Sequence, residues 1–292
     1  MPDRDPPAER TPVASEVRDL TRDDYELFRR LVYAQSGINL GEHKMQLVRA
    51  RLGKRVRQGG FNSFRDYYRH VEQDPTGEEL CRLLDAISTN TTHLFRESRH
   101  FALLGQITRR WAEDRMWRRD HSTLRIWSAA CSSGEEPYSI AMTAHDALIP
   151  YPGLELKVLA TDLSVRMLSR AKLGLYEAHR VGTVPPDFQK RYFQAVREDE
   201  QVMLQVVPEL RQTITFSRFN LMSPTFPFRH GFDVIFCRNV MIYFDRSTQQ
   251  TLVTKLIGQL HEGGYLMIGH SESLNNVEHP LQYVEPTVYQ KK

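Results

Sequence analysis

Cysteine is scarce in this chain. Among 292 residues only Cys81, Cys131 and Cys237 carry thiols. They are odd in number, far apart and without a Cys-x-x-Cys pair, which excludes a disulfide framework and a cysteine-rich zinc site. Buried reduced thiols are the reading that remains. Long apolar runs are also missing: nothing approaches the ~18–20 consecutive apolar residues of a membrane span. The opening Met1-Pro-Asp-Arg-Asp-Pro-Pro7 has no apolar signal-peptide core. A cytoplasmic protein with no membrane insertion is therefore expected. Charge of one sign is not dominant, since 39 Lys+Arg stand against 36 Asp+Glu. With 40% hydrophobic and 26% charged residues, collagen-like, coiled-coil and wholly disordered classes are excluded. There is no Ser-His-Asp or Cys-His order to suggest a nucleophile, no metal-ligand cluster and no internal repeat.

What is present divides in two. Residues 1–16 hold four prolines and many charges without apolar period and read as a disordered tail. Residues 17–88 read as a small all-helical domain. Phe28, Leu31 and Val32 mark one helix face, Val48, Leu52 and Val56 a second, and Phe64, Tyr67 and Val71 a third. A fourth helix opens with Thr76 and Glu79 at capping-box spacing and runs through Leu80, Leu83, Leu84 and Ile87. Residues 89–123 read as a linker and connecting helix.

From 124 to 292 short β-rich runs alternate with helical stretches. Leu124–Ala129, Leu156–Ala160, Phe232–Cys237 and Tyr265–Gly269 read as buried strands, and Tyr138–Ala147, Arg166–Leu173 and Thr248–Leu260 as the helices between them. That alternation predicts an α/β domain with a parallel sheet covered by helices. Between 176 and 219 the rhythm breaks into Pro185-Pro186, a charged stretch Arg197-Glu-Asp-Glu200, and two β-like runs, Gln201–Val207 and Thr213–Ser217. This part reads as an inserted antiparallel β-subdomain.

Four segments carry candidate chemistry. The turn Ser128-Ala-Ala-Cys-Ser-Ser-Gly-Glu-Glu-Pro137 follows the first strand, where backbone N–H groups at a helix start meet a ligand. A dinucleotide loop would need G-x-G-x-x-G. Here only Gly134 is present, and Glu135 and Glu136 follow it. Two carboxylates repel a pyrophosphate and suit a nucleotide-like cation such as S-adenosylmethionine; the plainer alternative is an ordinary helix start. Asp162, at the end of the second strand, stands where a ribose diol is commonly held, or it caps the next helix. Asn239 and Tyr243 follow the strand Phe232–Cys237 and face the same crevice, unless Tyr243 is a core aromatic. Thr89-Asn-Thr-Thr-His-Leu-Phe-Arg-Glu97 packs Asn90, Thr91, Thr92, His93 and Arg96 into one linker; its plainer reading is a turn segment.

At these residues the chain resembles the chemotaxis receptor methyltransferases of the CheR type, from Thr21 to Gln290. The motifs are Thr89-Asn-x-Thr-x-x-Phe-Arg-Glu97, Trp127-Ser-Ala-Ala-Cys-Ser-Ser-Gly-Glu-Glu-Pro-Tyr-Ser139, Phe236-Cys-Arg-Asn-Val-Met-Ile-Tyr-Phe244 and Gly269-His-Ser-Glu-Ser273, in the family's order. The resemblance implies a Rossmann-like class I methyltransferase sheet with helices on both faces. It implies a protein-glutamate O-methyltransferase that moves a methyl group from S-adenosylmethionine to glutamate side chains of chemoreceptors, leaving S-adenosylhomocysteine, in sensory adaptation. It places Asn90, Thr92, Arg96, Glu135, Asp162, Asn220, Leu221, Asn239 and Val240 around the cofactor, and Arg96 and Tyr243 beside the transferred methyl. In some members the insertion docks a receptor's C-terminal pentapeptide through a glycine-bearing turn; Ala195–Val206 contains no glycine.

A glutamate with a reference pKa near ~4.3 is ionised at neutral pH, so the transfer needs no general base. The partner would be the cytoplasmic helical region of receptors, with the enzyme recruited to receptor arrays. Lys44, Arg49, Arg51, Lys54, Arg55, Arg57, Arg65 and Arg69 face Asp66 alone between residues 44 and 70, a basic stretch that attracts acidic partners. Two other classes share these features. A nucleic-acid methyltransferase would track phosphates with the same helices, but the strand Phe232–Cys237 is not followed by the Asn/Asp-Pro-Pro-aromatic signature of many amino-group methyltransferases. A non-catalytic S-adenosylmethionine-binding regulator would bind the cofactor without turnover.

Overall fold

A computed structural model describes residues 18–118, 122–198 and 201–292. The expected tail, 1–16, lies outside the described residues, as do Asp199 and Glu200 of the charged stretch. The chain forms two compact units. One comprises the residues up to Arg30 with Gly41–Ile87, the other Leu31–Leu40 with Ser88–Lys292.

The first unit is helical: the start of α1 (Arg22–Ser36), then α2 (Met45–Gln58), α3 (Phe64–Gln73) and α4 (Glu78–Ile87). Each helix exists because its apolar residues recur at helical spacing and meet in one core. Phe28, Val48, Leu52, Val56, Phe64, Tyr67, Val71, Leu83, Leu84 and Ile87 are all buried. Ser63 caps α3, accepting from the Asp66 N–H at 3.1 Å.

The expected capping box on α4 is not formed. Asp74 accepts from the backbone N–H groups of Thr76 (2.9 Å) and Glu79 (2.8 Å), and the Glu79 carboxylate turns inward to Arg55 at 2.6 Å and Arg82 at 3.1 Å. Burial would raise the Glu79 pKa, but the hydrogen bonds from Arg55 and Arg82 win and hold it at about 2. A depressed carboxylate stabilises the fold above its ordinary range and loses that contribution as pH falls toward 2. Glu79→Ala is expected to cost about 3 kcal/mol at pH 7. In urea unfolding the deficit should shrink below pH 3; an equal deficit at both pH values would show that the ion pair is not its source.

The basic stretch is partly neutralised within this unit. Arg49 pairs with Asp19 at 2.6 Å, Arg65 with Asp24 at 2.6 Å and Arg55 with Glu79. In these three pairs acids distant in sequence return to the stretch, and Arg69 pairs locally with Asp66 at 3.7 Å.

The second unit continues with α5 (Ser98–Arg118), β1 (Thr123–Ala129), α6 (Glu135–Leu148), β2 (Glu155–Asp162), α7 (Val165–Leu173), β3 (Leu175–Glu177), α8 (Ala178–Val181), α9 (Pro186–Tyr192), β4 (Phe193–Glu198), β5 (Gln201–Val206), α10 (Pro208–Arg211), β6 (Ile214–Arg218), β7 (Phe232–Cys237), α11 (Arg246–Gly258), β8 (Leu260–Ile268), β9 (Gln282–Glu285) and β10 (Val288–Gln290). Seven strands form one sheet in the order β6-β2-β1-β7-β8-β10-β9. The first five are parallel, and β10 and β9 add antiparallel at one edge. The period of two along the strands divides the core into two layers. Ile126, Val234 and Phe236 pack with Phe101, Leu104, Ile140 and Met142 on the α5/α6 face. Trp127, Ile235 and Cys237 pack with Leu252, Val253 and Leu256 of α11 on the other. Burial pushes the Cys131 and Cys237 thiols up, so both stay protonated.

The antiparallel insertion is smaller than expected over 176–219. Its sheet has the order β3-β5-β4, whereas β6, taken from sequence as part of it, pairs parallel with β2 from Val158↔Ile214 to Asp162↔Arg218. As an edge strand, β6 buries one face only, so it alternates like a hairpin strand; α10 returns the chain to the β2 edge. The last parallel strand begins at Leu260 rather than 265 and α11 ends at Gly258. Residues 31–40 belong with the sheet because Tyr33 donates to Asp245 (2.7 Å), Asn39 N–H to the Tyr243 carbonyl (2.8 Å) and Asn220 to the Gln35 carbonyl (2.7 Å). Among the described residues no helix is long and apolar enough to cross a membrane.

Candidate active site

The loop after β1 is shaped by left-handed backbone. Ala130 (φ 68°), Ser132 (φ 49°) and Gly134 (φ 96°) turn the chain from strand to helix. Phe95, Glu97 and Asn239 adopt positive φ as well. Five non-glycine residues in a conformation costing of order 1–3 kcal/mol thus cluster at the strand ends, where surrounding contacts hold them. Gly134 has a second requirement, because a Cβ there would lie 2.9 Å from Ala171 Cβ and 3.1 Å from the Tyr176 hydroxyl. Gly134→Ala is expected to cost about 1–3 kcal/mol and to weaken S-adenosylhomocysteine binding at least tenfold; unfolding scans with and without that ligand measure both, and an unchanged ligand-induced shift would contradict it.

Asp162 braces this loop. Its two oxygens accept from the backbone N–H groups of Ser132 (2.8 Å) and Ser164 (2.8 Å). The cap of α7 is Ser164, which accepts from Met167 N–H, so the helix-cap alternative for Asp162 does not hold. Ser132 Oγ in turn donates to the Asn90 carbonyl at 3.2 Å. Linker, first loop and second strand end therefore meet.

Glu135 is fully buried. One oxygen accepts from Ser133 Oγ at 2.7 Å and the other pairs with Arg180. Burial raises its pKa, and the Ser133 hydrogen bond opposes the rise. The same Arg180 group reaches the Thr92 carbonyl at 3.4 Å.

A second cluster centres on Arg238, which the sequence reading placed in a motif without a role. Its side chain is 1% exposed, 2.8 Å from Glu97 and 3.3 Å from Glu136. It also donates to the Arg96 carbonyl at 2.5 Å and lies over Phe101 at 5.6 Å. Glu136 accepts from Ser128 Oγ at 2.7 Å. Burial would raise the Glu97 pKa, but Arg238 and donors from His270 N–H and Asn239 outweigh it and hold the group below the ordinary carboxylate range. His100, 1% exposed, lies 3.5 Å from Glu97 and is neutral, lowered to about 4 by burial and by Arg238. Glu97, His100 and His270 are grouped closely enough to suggest a metal, but the Glu97 carboxylate is committed to Arg238.

Glu272, also without a role in the sequence reading, accepts from four backbone N–H groups: Gly269 (2.6 Å), Met241 (2.7 Å), Asn239 (2.9 Å) and Ile242 (3.3 Å). Burial raises its pKa and these bonds oppose it. Gly269 allows the approach, since its Cβ would fall 2.4 Å from Asn239 Nδ2.

The expected site residues are distributed as follows. Asn90, Thr92, Arg96, Glu135 and Asp162 are joined through the contacts above, and Arg96 donates to the Thr91 carbonyl at 3.1 Å. Asn239 joins them through Glu97 at 3.3 Å. Asn220 follows Phe219, whose N–H donates to the Asp162 carbonyl at 3.1 Å, and its side chain is engaged with Gln35 and the Met222 N–H. Leu221 is buried on the α11 face, with Val240 and Tyr243 packed partly against the same layer.

A parallel sheet with helices on both faces, an acidic loop after its first strand and a carboxylate closing its second define a class I S-adenosylmethionine-dependent methyltransferase domain. Residues 90–290 match the model of the CheR methyltransferase, SAM binding domain, and residues 23–88 that of the CheR methyltransferase, all-alpha domain; the chain belongs to the CheR methyltransferase family. It is 38% identical over 274 residues to a chemotaxis protein methyltransferase of Borreliella burgdorferi, covering 94% of this chain and 95% of that one. It is 37% identical over 265 residues to those of Salmonella typhimurium and Escherichia coli, covering 90% of this chain and 88% and 89% of theirs.

The residues suit the cofactor. Glu135 is a carboxylate whose burial is relieved by a cation, as the ammonium of S-adenosylmethionine would relieve it. Asp162 closes β2 with a carboxylate held in place by the Ser132 and Ser164 N–H groups, the kind of acceptor that suits a ribose diol.

Proposed function

We propose that the protein transfers the methyl group of S-adenosylmethionine to glutamate side-chain carboxylates of chemoreceptors, giving methyl esters for sensory adaptation. The observation that carries this is the placement of Arg96. Its carbonyl is held by buried Arg238, and its side chain projects from the linker that is fixed to the cofactor loop.

When bound, S-adenosylmethionine supplies an electrophilic methyl. Glu135 would receive its ammonium, Asp162 its ribose, and Asn90, Thr92, Asn220, Leu221, Asn239 and Val240 would frame the rest. Arg96 orients the incoming carboxylate by charge-assisted hydrogen bonds, and Tyr243 adds one aligning bond. The substrate is already an anion, so no residue has to remove a proton, and positioning in a water-poor cleft contributes about 7–11 kcal/mol at best. Exposed cations of α2 and α3, such as Lys54 and Arg57, and the β3-β5-β4 insertion are the surfaces for an acidic receptor helix, and their contacts would recruit the enzyme to receptor arrays.

The experiment is transfer of radiolabelled methyl to receptor-containing membranes of the source organism, followed by mild alkali. Label on a receptor-sized protein released as methanol is expected. Label on nucleic acid, or cofactor binding with no alkali-labile product, would overturn the reading.

A further inference from the structure

Arg180 belongs to no motif of the sequence and sits on α8, in the first turn of the antiparallel insertion. Its guanidinium pairs with Glu135 and reaches the Thr92 carbonyl of the linker at 3.4 Å. Three residues on, Thr183 donates to the Leu94 carbonyl at 2.9 Å. The insertion therefore touches both the cofactor loop and the linker that carries Arg96. Exposure differs sharply across the pair: the Glu135 side chain is 0% exposed and that of Arg180 37%. A buried carboxylate on one side thus has its counter-charge on the other, in a side chain that reaches solvent.

We propose that Arg180 is a positioning residue for methyl transfer: it is the counter-charge that keeps the Glu135 carboxylate available to a cationic amine, and it ties that carboxylate to the linker through Thr92. This rests on the assignment of Glu135 to the ammonium of the cofactor. A buried carboxylate without a compensating cation takes up a proton, and a neutral carboxyl no longer attracts an ammonium. The other titratable groups acting on Glu135 do not replace Arg180. Tyr176 and Cys131 are pushed up by burial and stay neutral, and Arg170 of α7 acts on Glu135 less strongly than Arg180 does.

The test is the affinity for S-adenosylhomocysteine, which carries the ammonium but has no methyl to transfer, measured by calorimetry between pH 6 and pH 8. The wild type should bind with nearly constant affinity. Arg180→Ala should bind about tenfold more weakly at pH 6 than at pH 8, as the uncompensated carboxyl takes up its proton. Arg180→Gln, which keeps the reach to Thr92 but not the charge, should give the same slope, and Arg180→Lys should restore the flat profile. A role in packing alone would lower affinity equally at every pH, so profiles of the alanine and glutamine variants parallel to wild type overturn the proposal. Glu135→Gln separates the two assignments. Weak, pH-independent binding by this variant upholds the ammonium assignment, and wild-type affinity removes it whatever Arg180 does. The double variant Arg180→Ala/Glu135→Gln should be weak and flat; a persisting slope would assign the titration to another group.

Discussion

Arg96→Ala should lower turnover by about 10²–10³-fold, the range seen when a charged or dipolar donor is removed from a reacting centre, while leaving the unfolding midpoint close to wild type. The second half of this expectation comes from geometry. Arg238 holds the main-chain carbonyl of Arg96 rather than its side chain, so truncation leaves the buried cluster intact. The guanidinium itself donates to the Thr91 carbonyl in an exposed hydrogen bond, a loss of about 1 kcal/mol at most. Arg96→Lys should recover only part of the rate, since an ammonium is a point charge and cannot grip a carboxylate with a planar fork. Initial rates with receptor membranes at saturating S-adenosylmethionine, read beside S-adenosylhomocysteine affinity, separate orientation of the carboxylate from cofactor binding. Full turnover by the alanine variant would remove Arg96 from the mechanism.

The second large effect is on stability. Arg238 is the sole cation in contact with both Glu97 and Glu136 among the described residues, and all three are taken largely out of water. Arg238→Met keeps much of the volume against Phe101 and Phe236 but strands two carboxylates, which should cost about 3–5 kcal/mol. Adding Glu97→Gln and Glu136→Gln should return a good part of it, because the neutral amides need no counter-charge. Urea unfolding of the single and triple variants measures both numbers. A single variant within about 1 kcal/mol of wild type would mean that the carboxylates find another partner or protonate without penalty.

The parts of this molecule legible in the sequence are those where one local rule decides. Phe232–Cys237 is apolar apart from Asp233 and forms a strand with those limits, because both faces are buried beyond that residue. The faces of α2 and α3 were readable from Val48, Leu52 and Val56 and from Phe64, Tyr67 and Val71, all of which are buried. β6 was misplaced because alternation reveals a half-buried strand but not its partner. Glu79 fitted a capping box by spacing, yet Asp74 takes the capping role and Arg55 the carboxylate, a competition between local and distant partners that spacing does not express. Arg238 was the least legible. A cation closing an apolar strand signals that something must neutralise it, but Glu97 and Glu136 come from a linker and a helix start that only the folded chain brings together. Arg180 gave no signal at all, for its meaning depends wholly on a carboxylate buried elsewhere.

The neck of the insertion has its own consequence. The Val206 N–H donates to the Gly174 carbonyl at 2.9 Å, so the points where the β3-β5-β4 excursion leaves and rejoins the α/β body are already tied together. The span that β2 and β6 must bridge therefore does not lengthen when the hairpin beyond the neck grows or shrinks, and the added loop-closure entropy falls on the hairpin alone. The β3-β5-β4 excursion is a module hung on a closed neck, and changes of length within it leave the register of the parallel sheet untouched.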